Sequence, residues 1–145
     1  MERFEMLDRD SQLESLDAAL KNDRVERSPL VRVLAIGKSL GDERESFELT
    51  ALEVRAAGAV LYWRAITPAD QSFALPQFVV TDDLGTRYEV FVARWVSLDG
   101  LSRGEAAVVP RPTESAATVR IEIRRRRVPN RETIRAIGAV DVVLQ

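Results

Sequence analysis

Residues 78–96 read FVVTDDLGTRYEVFVARWV, and this stretch decides the fold class. Two apolar runs, Phe78–Thr81 and Tyr88–Val96, flank a short polar segment in which Asp82 and Gly85 suit a tight turn. Runs of β-branched and aromatic residues on both sides of such a turn are typical of paired antiparallel strands. The stretch therefore predicts a β-hairpin.

The alternation of apolar and polar residues continues on both sides of this hairpin. It recurs in Val119–Ile123, and in Phe47–Val54 its parity changes near Ala51, which predicts a β-bulge there. Val60–Thr67 is a further strand, rich in apolar and aromatic residues. About seven or eight short strands follow Pro29 with turn residues between them. We therefore expect an all-β fold, an antiparallel immunoglobulin-like or Greek-key β-sandwich, with a small closed barrel as the alternative.

The N-terminal segment has a different pattern. Ser11 is a suitable N-cap, and Leu13, Leu16 and Leu20 recur at helical spacing, so we predict a short amphipathic helix from Ser11 to Lys21. We expect two parts, an acidic helical segment over residues 1–28 and a β-sandwich domain over residues 29–145.

Composition excludes several kinds of chemistry. The chain has 145 residues, no cysteine, no histidine and a net charge of −2. Disulfides, thiolate or imidazole metal sites and Ser-His-Asp triads are therefore excluded, and we expect no cofactor and no enzymatic activity. The charged start, Met1–Asp8, lacks the apolar core of a signal peptide, so we expect a cytoplasmic protein without membrane contact, or a secreted one if a leader was removed.

Two motifs resemble a known family. Phe78–Tyr88 and the later Pro110-x-Pro112, followed by Ala116–Ile121, are similar to the second half of small bacterial immunoglobulin-like (telokin-like) β-sandwich proteins of unknown function. The resemblance covers residues 30–145 and implies the sandwich fold. It brings no catalytic residues with it.

Two central strands are apolar on both faces. Tyr62 in one strand and Phe91 in the other lie on the face that an antiparallel sandwich normally exposes to water, and we place Trp95 on that face as well. We expect Trp63 in the core. The second face must then be covered, either by the N-terminal helix or by another chain.

These features predict a non-enzymatic protein–protein interaction module that docks a protein partner or forms a homodimer. The proposed partner-binding residues lie in the helix, on the second apolar face and in an arginine run: Leu13, Leu16, Leu20, Tyr62, Phe91, Trp95, Arg124, Arg125, Arg126 and Arg127.

The arginine run offers an alternative function. Residues 111–145 carry 8 arginines and 4 acidic residues, and Arg124–Arg127 could bind a polyanion or nucleic acid, or simply form a charged rim. No aromatic residue follows Trp95, so we do not expect nucleic acid as the main partner. The apolar parity of Val119–Ile123 requires the strand to end or bulge near Arg124.

A third hypothesis is a hydrolase that uses carboxylates alone. The candidate acids lie in turns or on the polar side of strands: Glu53, Asp82, Asp83, Glu89 and Glu122. Nothing in their spacing brings two of them together.

Overall fold

The computed structural model describes residues 9–41, 45–66, 76–126 and 134–144, which form one helix and eight strands. The elements are α1 (Arg9–Arg27), β1 (Leu30–Gly41), β2 (Ser46–Arg55), β3 (Gly58–Ile66), β4 (Pro76–Asp82), β5 (Arg87–Leu98), β6 (Leu101–Val109), β7 (Thr118–Arg126) and β8 (Ile134–Val143). The all-β class with one N-terminal helix is confirmed, although the helix extends beyond the predicted Ser11–Lys21 at both ends. Within the described ranges, no helix combines the length and apolar content needed to cross a membrane.

All strand pairs are antiparallel and form one sheet in the order β1-β2-β3-β6-β5-β4-β7-β8. Strand β5 joins the two halves, because Arg87 and Tyr88 pair with β4 whereas the segment from Glu89 onward pairs with β6. The edge strands β1 and β8 approach each other, and a Cβ added to Gly138 would lie 3.2 Å from Leu40 Cδ2.

The sheet is therefore curled into a nearly closed, barrel-like shape. The immunoglobulin-like prediction needs correction on this point, because β5 is hydrogen bonded to both halves and two separate sheets are not clearly formed. The alternative of a small closed barrel is nearer to the observed strand order.

The bulge predicted near Ala51 is present, and of the two alternatives near Arg124, an end or a bulge, the strand has a bulge. The register of β2 against β3 shifts between Leu49 and Ala51, and the register of β7 against β8 shifts between Ile123 and Arg124. An extra residue reverses the alternation of side chains. Leu49 and Leu52 therefore both point into the core, although residues three positions apart in a regular strand face opposite sides.

The core lies inside the curled sheet and includes Trp63, as predicted. The ring centroids of Trp63 and Phe78 are 6.2 Å apart. Strand β6 passes very close to the indole, since a Cβ on Gly104 would lie 2.6 Å from Trp63 Cζ2. Glycine at position 104 therefore permits the packing of the largest core side chain.

The turn between β4 and β5 is built on one buried carboxylate. Asp82 Oδ1 accepts hydrogen bonds from the backbone N–H groups of Leu84 and Thr86, both at 2.9 Å. Gly85 has a φ of 87°, in the left-handed region that glycine tolerates. Tyr88 Oη donates to Asp82 Oδ2 at 2.6 Å, and this bond, with the two backbone donors, lowers the pKa of Asp82.

The next residue links this turn to a distant segment. Asp83 Oδ1 accepts hydrogen bonds from the N–H groups of Ala117 and Thr118, at 2.9 and 3.1 Å. The two motifs that carry the family resemblance are thus joined directly, and their acidic residues have structural roles in the turn.

Candidate functional site

Helix α1 lies on the outer face of the sheet, over β3, β5 and β6. Its buried residue Val25 packs against Val60 and Ala107, with Tyr62 and Phe91 partly buried at the edge of this cluster. Lys21 Nζ lies 4.5 Å from the centroid of the Phe91 ring. The second apolar face of the central strands is therefore covered by the chain's own helix.

The helix packs with a different face from the one that the sequence suggested. Leu16 and Leu20 are more than half exposed, whereas Val25 is buried. At about 100° per residue, the nine positions from Leu16 to Val25 place these side chains on opposite sides of the helix. The leucine stripe thus points away from the sheet, and the side chain of Leu13 lies outside the described residues.

The prediction for Trp95 is wrong. The register of β5 against β6 shifts between Val92 and Arg94, so that Arg94 faces Glu105 and Trp95 faces Gly104. This bulge moves Trp95 off the face that carries Phe91, and its side chain is 42% exposed.

The arginine run is only partly described. The guanidinium of Arg124 makes two hydrogen bonds to Glu122, at 3.0 and 3.2 Å, and it lowers the pKa of that carboxyl. Arg127 and the side chains of Arg125 and Arg126 lie outside the described residues. Arg124, the one arginine of the run whose side chain is described, therefore already pairs with an acidic residue on its own strand.

An open groove lies on the outer face of the sheet at the end that the helix leaves uncovered. It has a volume of about 620 Å³ and runs over the start of β2, the end of β3 and the hairpin formed by β5 and β6. Four large apolar side chains line it, each between 50% and 74% exposed: Ile66, Val96, Leu98 and Leu101. We call this the hairpin groove.

The local sequence accounts for the tight turn of the hairpin that forms one side of the groove. Asp99 and Gly100 have φ values of 50° and 80°, and Leu98 pairs with Leu101 across them. Two left-handed residues in a two-residue turn are characteristic of a type I′ hairpin, for which Asp-Gly is a preferred sequence. This hairpin and its groove were not predicted from the sequence, although Asp99-Gly100 between apolar residues was the available signal.

The groove continues into a more polar cleft. Arg64, Val96 and Arg103 line both the hairpin groove and a neighbouring space of about 540 Å³ that reaches Tyr62 and Glu105. Arg64 pairs with Glu48 at 2.8 Å, whereas exposed Arg103 has no ion-pair partner in the part of the chain that the structure describes. An apolar surface therefore adjoins a positive charge that pairs with no described acidic residue.

Three carboxyl groups meet where the helix, the sheet and this cleft join. The Arg94 guanidinium lies 3.0 Å from Glu26 Oε2 of α1, Arg94 pairs in register with Glu105 of β6, and Arg55 pairs with Glu53 on β2. Burial, together with Glu53 and Glu105, raises the pKa of Tyr62 to about 12, and the Tyr62 hydroxyl lies 3.3 Å from Glu53 Oε2.

The described residues show no grouping of three or more acidic side chains that could hold a metal ion. The acids that the sequence suggested for hydrolysis are mostly engaged elsewhere in the fold. Asp82 and Asp83 accept backbone hydrogen bonds, Glu122 binds Arg124, and the Glu89 carboxylate lies 3.8 Å from Lys21 Nζ.

Comparison with known proteins informs the fold alone. No protein-family model matches the sequence, and no curated protein matches it either. A crystal structure titled as the conserved domain protein from Bacillus anthracis superimposes with a TM-score of 0.61 at 15% sequence identity. The match covers 79% of this chain and 49% of that one, so this chain spans about half the length of its structural neighbour.

Proposed function

We propose that this chain is a non-enzymatic protein-binding module whose hairpin groove binds an extended segment of a partner protein. The segment would carry neighbouring apolar side chains and an acidic residue beside them. The observation that supports this most directly is the set of four exposed apolar side chains on one open surface, next to the Arg103 guanidinium, which has no ion-pair partner among the described residues.

The energy available from the groove is substantial. Full burial of a valine, leucine or isoleucine contributes about 1.5–3 kcal/mol, so covering side chains that are already half to three-quarters exposed contributes about 1–2 kcal/mol each. A surface of this kind on an otherwise folded domain commonly marks a binding site. The losses of rotational freedom on binding offset part of this gain, so a partner needs the charge contact as well.

Arg103 sets the chemistry of the partner. Arg64 and Arg94, its neighbours on the outer face, already pair with Glu48 and Glu26, but Arg103 does not pair within the described ranges. An acidic side chain of the partner would find a charge-assisted hydrogen bond there. A purely apolar partner would leave this charge beside a dry surface.

Selection from a displayed random peptide library tests the proposal. We expect peptides with adjacent apolar residues and a nearby Asp or Glu, and we expect Leu101→Asp and Arg103→Ala each to weaken their binding about tenfold or more, because tenfold corresponds to about 1.4 kcal/mol. The matched controls are Leu84→Asp, which alters a leucine of similar exposure (58% against 61%) at a distant turn, and Arg87→Ala.

Three results would overturn this function. The first is no enrichment of any peptide on the intact chain relative to the Leu101→Asp variant. The second is equal weakening by Leu84→Asp. The third is a dimer in sedimentation that Leu101→Asp dissolves, since the groove would then be filled by a second copy.

Nothing in the described residues favours polyanion binding over this function. That alternative remains a prediction from the arginine run, and Arg124 contributes little to it while it is bound to Glu122.

A further inference from the structure

Strands β4 and β5 separate soon after the turn that joins them. They pair with each other only where Tyr88 lies opposite Val80 and Arg87 opposite Thr81. From Glu89 onward β5 pairs with β6, whereas β4 pairs with β7 along its whole length. Between the two diverging strands lies an open space of about 530 Å³, which we call the strand cleft and which is lined by residues 76–79 of β4 and 87–92 of β5.

The open edge of β4 presents backbone groups to the strand cleft. Asp82 N–H donates to the Thr86 carbonyl oxygen at 3.0 Å, so the backbone groups of Asp82 point toward β5. This direction alternates from residue to residue along a strand, so Phe78, four positions earlier, points its N–H and C=O the same way. No described residue of β5 pairs with Phe78. Its donor and its acceptor therefore face the cleft.

The open edge of β5 presents a second set of backbone groups. Val80 points its backbone groups at Tyr88 by the same alternation, so those of Tyr88 point toward β4. Val90 and Val92 follow Tyr88 at spacings of two and four, before the bulge of β5. Their N–H and C=O groups therefore point away from β6 and into the cleft. Strand edges of this kind can pair with a further strand.

Two polar side chains mark the ends of the strand cleft. Gln77 lines its open end, and the buried Oε1 of Gln77 has no hydrogen-bond partner in the described residues. Buried acceptors are normally satisfied by a donor. Exposed Arg87 lines the other end, next to the β4–β5 turn, and it forms no ion pair with a described residue. A ligand of this cleft therefore meets an acceptor at one end and a positive charge at the other.

We propose that the strand cleft binds an extended segment of a partner protein, which inserts between β4 and β5 as an additional strand. Apolar side chains of the segment face Val90 and Val92, which are only partly buried against the core. A hydroxyl or amide side chain donates to Gln77, and an acidic side chain pairs with Arg87. This site is separate from the hairpin groove and does not depend on what the groove binds.

The dimensions of the cleft suit a short segment. The open part of β4, residues 76–79, is about 13 Å long at 3.3 Å per residue. The N–H groups of an extended segment point alternately to its two sides, so one inserted strand can hydrogen bond to both edges. In strand addition these main-chain bonds give affinity, and alternate side chains give specificity.

The charge of the cleft favours a partner protein over a second copy of this chain. The described edge strand β1 carries Arg32 and Lys38 and no acidic residue, so it would bring like charge to Arg87. The other described edge strand, β8, carries Asp141, which already lies 3.7 Å from Arg120. Neither edge of a second copy therefore supplies the acidic residue without breaking an ion pair.

The peptide for the test comes from a displayed random library selected on the Leu101→Asp variant. This substitution alters the hairpin groove and leaves the strand cleft unchanged. We expect enrichment of peptides in which apolar residues alternate with polar ones that include a Ser, Thr, Asn or Gln and an Asp or Glu.

Amide hydrogen exchange, measured by NMR on the intact chain, tests the insertion itself. With the selected peptide bound, we expect exchange at Phe78, Val90 and Val92 to slow about tenfold or more, because these N–H groups gain partners. The amides of Glu89 and Phe91 are the matched controls, since they point toward β6 and should change little.

Changes in the peptide and in the chain test its contacts. N-methylation at either of two adjacent central residues of the peptide should weaken binding about fivefold or more, because adjacent N–H groups of an inserted strand bond to opposite edges. Arg87→Ala should weaken binding about threefold or more, whereas Arg103→Ala, in the hairpin groove, should leave it unchanged. Gln77→Leu should remove the preference for a hydroxyl or amide residue.

Four results would overturn this inference. The first is a selected peptide that binds without slowing exchange at Phe78, Val90 and Val92. The second is unaltered binding after N-methylation at either position. The third is no enrichment on Leu101→Asp, which would refute the strand cleft alone if the intact chain still enriches peptides at the hairpin groove. The fourth is slowing that grows with chain concentration in the absence of peptide, since a second copy would then be the occupant.

Discussion

Replacement of Tyr88 by phenylalanine tests the turn on which the β4–β5 connection depends. The Tyr88 hydroxyl donates a 2.6 Å hydrogen bond to Asp82 Oδ2, and both residues are buried. Phenylalanine keeps the ring in the core and removes only the hydroxyl. The change therefore isolates one charge-assisted hydrogen bond.

The expected loss is about 2 kcal/mol in the free energy of unfolding, because hydrogen bonds to charged groups contribute about 1.5–3 kcal/mol. Asp82 Oδ1 keeps its backbone donors Leu84 and Thr86, so the carboxylate is not left wholly unpaired. With an unfolding entropy of about 2.1 cal/mol/K per residue, a chain of this length should lose about 6 °C in Tm.

Urea unfolding at pH 7, followed by far-UV circular dichroism, measures this loss. Tyr62→Phe is the matched control, because its hydroxyl is half-buried and makes a longer 3.3 Å contact with Glu53. We expect the control to lose less than about 1 kcal/mol, in keeping with a weaker, partly hydrated hydrogen bond.

The pH dependence supplies a second check of the same interaction. The pKa of Asp82 is lowered from 3.8, so the stability that it contributes is present above pH 3.8 and is lost as the pH falls through the lowered value. The gap between Tyr88→Phe and the parent should therefore shrink in acid. A variant that unfolds within 0.5 kcal/mol of the parent at pH 7 (about the usual scatter for neutral changes), or a gap that widens in acid, would refute the reasoning.

Two further substitutions test the packing of the core and of the helix. Gly104→Ala should destabilise the chain by about 1–3 kcal/mol in urea unfolding. The new Cβ would lie 2.6 Å from Trp63 Cζ2 and 2.8 Å from the backbone oxygen of Arg94. A neutral result would show that the indole can move aside. Asn22→Leu should stabilise the chain by about 1–2 kcal/mol in the same assay, because Asn22 Oδ1 is buried beside the apolar Val25 cluster with no hydrogen-bond partner among the described residues. A loss of stability would contradict this.

Local sequence signals predicted local structure well. The Asp82–Gly85 turn and the bulges near Ala51 and Arg124 are present, because each follows from turn chemistry or from a parity that only an extra residue can satisfy. Trp63 lies in the core for the same reason, since its strand parity matches that of Leu61.

Features that depend on distant pairing were not predictable in this way. The bulge between Val92 and Arg94 is set by the partner strand β6, and it reverses the face on which Trp95 lies. The barrel-like closure depends on β5 binding two different strands, which no local pattern encodes. Both errors come from long-range register.

Of the two alternatives for the second apolar face, the helix is the one that covers it, but with a different face from the leucine stripe. Leu16 and Leu20 form the stronger apolar stripe, yet the contact is made by Val25, which lies beyond the predicted end at Lys21. A stripe of leucines indicates an amphipathic helix, but it does not by itself say which face meets its own domain.

Among the described side chains, the distribution of ion pairs favours the hairpin groove over the arginine run as the proposed binding site. Five described arginines on the strands already pair with acidic residues: Arg55 with Glu53, Arg64 with Glu48, Arg94 with Glu26, Arg120 with Asp141 and Arg124 with Glu122. An acidic partner that displaced one of these neighbours would exchange one ion pair for another, with little net gain. Arg103 requires no such exchange, and it lies beside the exposed Val96 and Leu101, where covering apolar surface adds to the charge contact. Binding at the groove should therefore depend on both a leucine and an arginine, whereas binding at the arginine run would depend on charge alone and weaken steeply with salt.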